Sequence, residues 1–270
     1  MGRYILCGKE ADLPYEVDEL DIRIYTIEEL CYYIYNYLPL IGEDFIDERL
    51  LFFIRHELEL PEIADKIERF YGARSEQDAT LQMLLSDVGY FSDPELSEFQ
   101  NRLVYRRRKS SQERIKMKGD SLLRLKRYQS AVRCYKTLAQ NGSDSRVSRE
   151  FYVSVLESLA SAYGHLCEFD YALDCLLGIY DLNHSERILK KAYEVCILSG
   201  TELPQSVFSK VPDQKLQKWQ QDYWNRETIA RRNLDTDETM QIFLQDSETQ
   251  KKELAEYLDR KKEACRGMLE

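Results

Sequence analysis

Residues 114–138, RIKMKGDSLLRLKRYQSAVRCYKTL, and residues 155–180, VLESLASAYGHLCEFDYALDCLLGIY, decide how this chain is read. Each reads as two amphipathic helices joined by a short turn, with apolar residues recurring every three or four positions. In the first, Ile115, Gly119 and Leu122 are followed by Tyr128, Ala131, Tyr135 and Leu138. In the second, Leu156, Leu159, Ala160 and Tyr163 are followed by Phe169, Ala172, Leu176 and Ile179. Small residues at Gly119 and Ala160, and again at Ala131 and Ala172, let two antiparallel helices approach closely. The large residues between them fill the remaining space.

This spacing follows W-x2-L-G-x2-Y with its later alanine and aromatic positions, so the stretch resembles a pair of tetratricopeptide (TPR) repeats. Several positions depart from the family pattern. Ser143 and His184 replace its final proline, Lys118 replaces a leucine, and no tryptophan opens either repeat. Ala131 and Ala172 lie 41 positions apart, against about 34 in the family. The loop NGSDSRVS (141–148), or longer helix ends, would absorb the surplus.

The resemblance implies an all-α, antiparallel helix-hairpin solenoid that binds a protein or peptide along a concave face. Gly119, Tyr128, Ala131, Tyr135, Ala160, Tyr163, Phe169 and Ala172 would pack the repeats. Glu113, Lys116, Asp120 and Leu123 from one repeat, and Ser154, Glu157, Ser161 and Gly164 from the next, would line the binding face. TPRs that bind chaperone tails grip a terminal carboxylate with Lys, Asn and Arg. Lys116 fits that clamp, but Asp120 and Ser158 stand where asparagines are expected, and the Asp120 carboxylate would repel the ligand's acid. No chaperone-tail clamp is expected.

The totals agree with a helical protein. Of 270 residues, 43% are hydrophobic and 32% charged, while glycine (11) and proline (6) are scarce. A net charge of −10 argues against a dedicated nucleic-acid binder. Seven cysteines without a C-x-x-C pair point to reduced thiols and a cytoplasmic protein. No apolar run reaches the roughly 18 residues of a membrane span. His56, His165 and His184 stand in separate segments, so no metal is expected. Phosphate-loop, dinucleotide and nucleophile-elbow motifs are missing, so neither a cofactor nor enzyme activity is expected.

Residues 1–100 read as a mostly helical region with a small ribbon formed by Tyr4–Cys7 and Ile22–Tyr25. Thr26 and Glu29 have capping-box spacing. Helices follow over Asp47–Leu58, over Pro61–Gly72 and over residues 78–91, and Asp93 caps another with Pro94 in its first turn. Residues 101–212 carry the TPR-like repeats. Residues 213–270 read as a capping helix pair, its last helix running from Met240 to about Met268.

Arg106, Arg107 and Arg108, with Lys109 and then Arg114, Lys116 and Lys118, form the densest basic run. It is either a solvated face balanced by nearby acids or an anchor for an acidic peptide or a nucleic-acid phosphate backbone. The expected function is a protein–protein scaffold or adaptor. The alternative is a peptide-sensing TPR regulator that contacts nucleic acid. LPEIADKIERFYG resembles the first helix of a helix-turn-helix, but SEQDATLQMLLSDVGYF lacks the basic residues of a recognition helix.

Overall fold

A computed structural model describes residues 9–72, 77–140, 148–244 and 247–267. The fold is predominantly helical, with one small sheet among the described residues, and it divides into two compact units at Ile188/Leu189.

The first unit opens on an antiparallel hairpin of β1 (Tyr15–Val17) and β2 (Ile22–Ile24), with Tyr15 opposite Ile24 and Val17 opposite Ile22. The partner of β2 is therefore Tyr15–Val17, which lies between the two runs expected to form the ribbon; Tyr4–Cys7 lies outside the described residues. Apolar residues alternate with Glu16, which puts Tyr15 and Val17 in the core. Asp21 closes the turn in the left-handed region, at φ 53°.

Helix α1 (Ile27–Asn36) starts at the expected box: Thr26 accepts the Glu29 N–H, and the Glu29 carboxylate accepts the Thr26 N–H. Its tyrosines divide by face, Tyr33 being buried and Tyr32 exposed. A 3-10 turn, Leu38–Leu40, carries Pro39. The next helix is not uniform. α2 (Glu48–Phe52) passes into a π-helical turn, Phe53–Glu57, in which the Leu58 N–H donates to the Phe53 carbonyl. Leu50, Phe53, Ile54 and Leu58 are all buried along this segment.

Helices α3 (Pro61–Gly72), α4 (Gln77–Val88) and α5 (Asp93–Arg107) follow, with α3 packed on α4 and α4 on α5. The cap of α5 is Ser92, one residue earlier than expected. The Glu95 carboxylate accepts from both the backbone and the hydroxyl of Ser92, at 2.8 and 2.6 Å.

Four helices then pack consecutively: α6 (Ser111–Arg124), α7 (Tyr128–Gln140), α8 (Arg149–His165) and α9 (Phe169–Asn183). The α8–α9 hairpin repeats the α6–α7 hairpin down to its turn. Lys126 and Cys167, 41 positions apart, both adopt left-handed backbone, at φ 61° and 59°. The Arg127 N–H donates to the Leu122 carbonyl and the Glu168 N–H to the Tyr163 carbonyl, at 2.8 and 3.0 Å. Each helix therefore ends in the same Schellman motif. One hydrophobic core runs without a break from Ala11 through Phe53, Phe99 and Tyr135 to Ala172.

The second unit contains most of α10 (Glu186–Ser199), then α11 (Gln205–Phe208), α12 (Asp213–Thr236), α13 (Glu238–Phe243) and α14 (Ser247–Gly267). α10 ends in the same motif as α6 and α8, with Gly200 at φ 71° and the Thr201 N–H on the Cys196 carbonyl. Tyr193 packs on Phe208 and Trp219. The expected single terminal helix is two: Asp237 caps α13 by accepting the Met240 N–H, and α14 restarts at Ser247.

The joint between α4, α5 and the 3-10 turn is ionic. Asp78, whose side chain is 8% exposed, accepts from Arg106 at 2.6 Å and from Arg107 at 3.0 Å. Arg106 also donates to the carbonyls of Leu38 and Ile41, at 3.1 and 3.4 Å. Replacing Asp78 by Ala leaves the largely buried Arg106 (14% exposed) without a counter-ion, which costs about 3–5 kcal/mol. Arg107→Ala, at a side chain 45% exposed, costs about 1 kcal/mol or less. Urea denaturation compares the two, and equal midpoints would contradict the buried joint.

At the turns, Lys126→Gly and Cys167→Gly each relieve a left-handed, exposed non-glycine residue. Each raises stability by up to about 1 kcal/mol. A destabilised Lys126→Gly protein would show that the turn is not held as described.

Candidate interaction surface

The two helices of the first hairpin, α6 and α7, join through a close contact of a small and an aromatic residue. A Cβ placed on Gly119 would lie 2.7 Å from Cε1 of Tyr135. The fully buried Tyr135 ring cannot withdraw easily, because its hydroxyl donates to the Asp120 carboxylate at 2.7 Å. Burial, aided by that carboxylate, raises the tyrosine's pKa, so the hydroxyl stays protonated and donating. Ala131, Ala160, Tyr163 and Ala172 are buried. Tyr128 is half-buried and stacks on His165 with centroids 4.5 Å apart, and Phe169 opens α9 half-buried.

α6 also touches α8 directly. The side chains expected on the binding face of these two helices are largely tied up within the chain. Lys116 is bound to Asp120 at 2.8 Å. The Glu113 carboxylate accepts from Lys109 at 2.8 Å and from the Ser110 N–H at 2.9 Å. Lys109, then the backbone and hydroxyl of Ser110, hold that carboxyl down at about 2. Glu157 pairs with Arg187, and the Ser154 hydroxyl donates to the Phe151 carbonyl. Leu123 packs against the core, and Ser161 is exposed.

In the basic run, Arg106 and Arg107 hold Asp78 while Arg108 is exposed. The sequence brings these arginines and the Lys116–Asp120 pair close along the chain. The structure commits most of them to intramolecular partners.

A groove of about 400 Å³ opens on the other side of α8. Tyr152, Leu156, Leu159 and Tyr163 of α8 form one wall. Tyr171, Cys175 and Gly178 of α9 form another, with Lys136 of α7 and Asp174 of α9 also lining it. Tyr171 is 57% exposed, and its ring stacks on Tyr163 with centroids 5.2 Å apart. Tyr152 and Tyr171 were not among the sequence candidates. A tyrosine at Tyr171, one residue before the packing alanine and on the solvent side of α9, is the signal that could have found the groove. Burial pushes the Cys175 thiol up to about 11 and the Cys31 thiol up to about 12, so neither is a thiolate at neutral pH.

Among the described residues, no helix is long and apolar enough to cross a membrane, and no group of three or more His, Cys, Asp or Glu is placed to hold a metal ion. Compared with protein-family models, curated proteins and solved structures, the chain matches none.

Gly119→Ala gains about 1 kcal/mol of helix propensity but drives a methyl group into the tethered Tyr135 ring. Overpacking of this kind costs about 1–3 kcal/mol, so the variant is the less stable protein. Gly164→Ala meets nothing within 4 Å and takes only the gain. Thermal unfolding of both decides the matter: a Gly119→Ala protein as stable as Gly164→Ala removes the close joint.

Proposed function

We propose that this chain is a TPR-like helical-repeat adaptor that holds a protein or peptide partner and acts by binding rather than by catalysis. The observation that carries the reading is the groove between α7, α8 and α9. Its exposed Tyr171, stacked on Tyr163, presents a rigid aromatic anchor with a polar tip. Aromatic anchors in pockets supply most of the energy of many interfaces. The repeated hairpins support the TPR-like assignment through their matching turns and their Gly119–Tyr135 joint.

The face of α6 and α8 carrying Lys116, Asp120, Ser154, Glu157 and Ser161 is the second candidate surface, although its charges are largely paired within the chain. The nucleic-acid alternative has less support, because Arg106, Arg107, Lys109, Lys116 and Lys118 each have an acidic partner within the chain.

Two variants separate the surfaces. Tyr171→Ser removes the anchor from the groove, and Ser161→Arg places a bulky charge on the α6/α8 face. The partner recovered from native cytosol by the parent protein, quantified by mass spectrometry, should fall about tenfold or more with Tyr171→Ser. Unfolding temperature should stay unchanged, since Tyr171 is mostly exposed. Loss with Ser161→Arg alone would move the partner to the α6/α8 face. Full recovery with both variants would defeat the adaptor reading.

A further inference from the structure

A second concavity lies away from the groove and from the α6/α8 face. Ser111, Arg114, Ile115 and Lys118 fall on one stripe of α6, nearly opposite the stripe of Glu113, Lys116 and Asp120. That stripe faces the 3-10 turn and the residues after it, and together they enclose a cleft of about 310 Å³. The floor is apolar: Pro39, Ile41, Ile115 and Met117.

The wall is built in advance. Arg106 donates to the carbonyls of Leu38 and Ile41, and the Gln77 amide donates to the Gly42 carbonyl at 2.6 Å. These side chains satisfy backbone groups that a loose turn would leave to water.

The cleft is lined by more basic than acidic side chains although the protein as a whole is acidic. Arg106, Arg114 and Lys118 line the cleft against a single lining acid, Glu43. Arg106 and Arg107 both bind the carboxylate of Asp78. Lys118 is paired with Glu19. Arg114 is held least: Glu43 stands 3.7 Å away, beyond hydrogen-bond distance, on a side chain 92% exposed. Glu43 thus occupies the mouth of the cleft as a loosely held carboxylate beside an arginine that can still donate a fork of hydrogen bonds.

We propose that this cleft binds a small amphipathic carboxylate, with the acid on Arg114 in place of Glu43 and the apolar body on Pro39, Ile41, Ile115 and Met117. The cleft's volume is at the lower end of small-ligand sites. It suits one compact apolar body rather than an extended peptide.

Calorimetric titration of the full chain with octanoate tests the assignment, with octanamide as its neutral isostere. Octanoate should bind at a single saturable site, and octanamide about tenfold more weakly or worse. Arg114→Gln should cost octanoate a similar factor. Glu43→Gln should tighten binding severalfold by removing the competing carboxylate. Asp181→Asn makes the same change in net charge on α9 and should leave binding as it was. Equal binding of octanoate and octanamide, no saturable octanoate site, or identical behaviour of Glu43→Gln and Asp181→Asn would each overturn the proposal. So would tighter binding of a blocked tripeptide acid ending in leucine, which would make the cleft a peptide-terminus site.

Discussion

The carboxylate of Asp78 is the constraint on which the first unit depends. It sits in the first turn of α4, while Arg106 and Arg107 sit in the last turn of α5. A negative charge at a helix start and positive charges at a helix end are each favoured by the backbone dipoles. The pairing therefore gains from both helices as well as from the two hydrogen-bonded contacts. Arg106 then reaches beyond the pair to the carbonyls of the 3-10 turn. A single residue thus fixes the end of α5, the start of α4 and the chain that follows α1. Since α6 begins only four residues after Arg107, the direction in which the hairpins leave is set at the same joint.

From that starting direction the hairpins propagate by packing rather than by charge. Gly119 lets the Tyr135 ring lie against α6, and the hydroxyl of Tyr135 finds Asp120 at the edge. The second hairpin meets the same requirement with other residues, Ala160 for Gly119 and Leu176 for Tyr135, both buried. Two different pairs filling one kind of joint is what cores tolerate when volume and pattern are kept. The turns repeat more strictly than the packing does. Lys126 and Cys167 accept left-handed backbone that glycine, present at Gly200, adopts without strain.

Much of this was legible in the sequence because it is local. The spacing of Gly119, Ala131, Ala160 and Ala172 located all four hairpin helices, and Thr26 with Glu29 located the start of α1. What the sequence hid depends on partners distant along the chain. Tyr15–Val17, three residues in an acidic stretch, shows its strand only when Ile22–Ile24 is laid beside it. The Arg106–Arg108 run reads as one charged patch. Asp78, 28 positions before Arg106, divides it into a buried arginine, a half-exposed one and an exposed one. The π-helical turn after Phe52 left no mark in the sequence, since Leu50, Phe53, Ile54 and Leu58 share one face at the ordinary helical period.

The same distinction bears on where recognition resides. Charge alone would place a partner on the α6 face, where the basic residues are densest in the sequence. Folding brings an acid to most of them: Glu113 to Lys109, Asp120 to Lys116 and Glu19 to Lys118. Exposed pairs of this kind gain little and largely cancel at a distance. What survives on the hairpins is apolar area that no helix of the stack covers, above all the ring of Tyr171. Where charges on the hairpins are spent within the molecule, the proposed partner would be selected by shape and by burial of apolar area. The groove over α8 is where this molecule offers both.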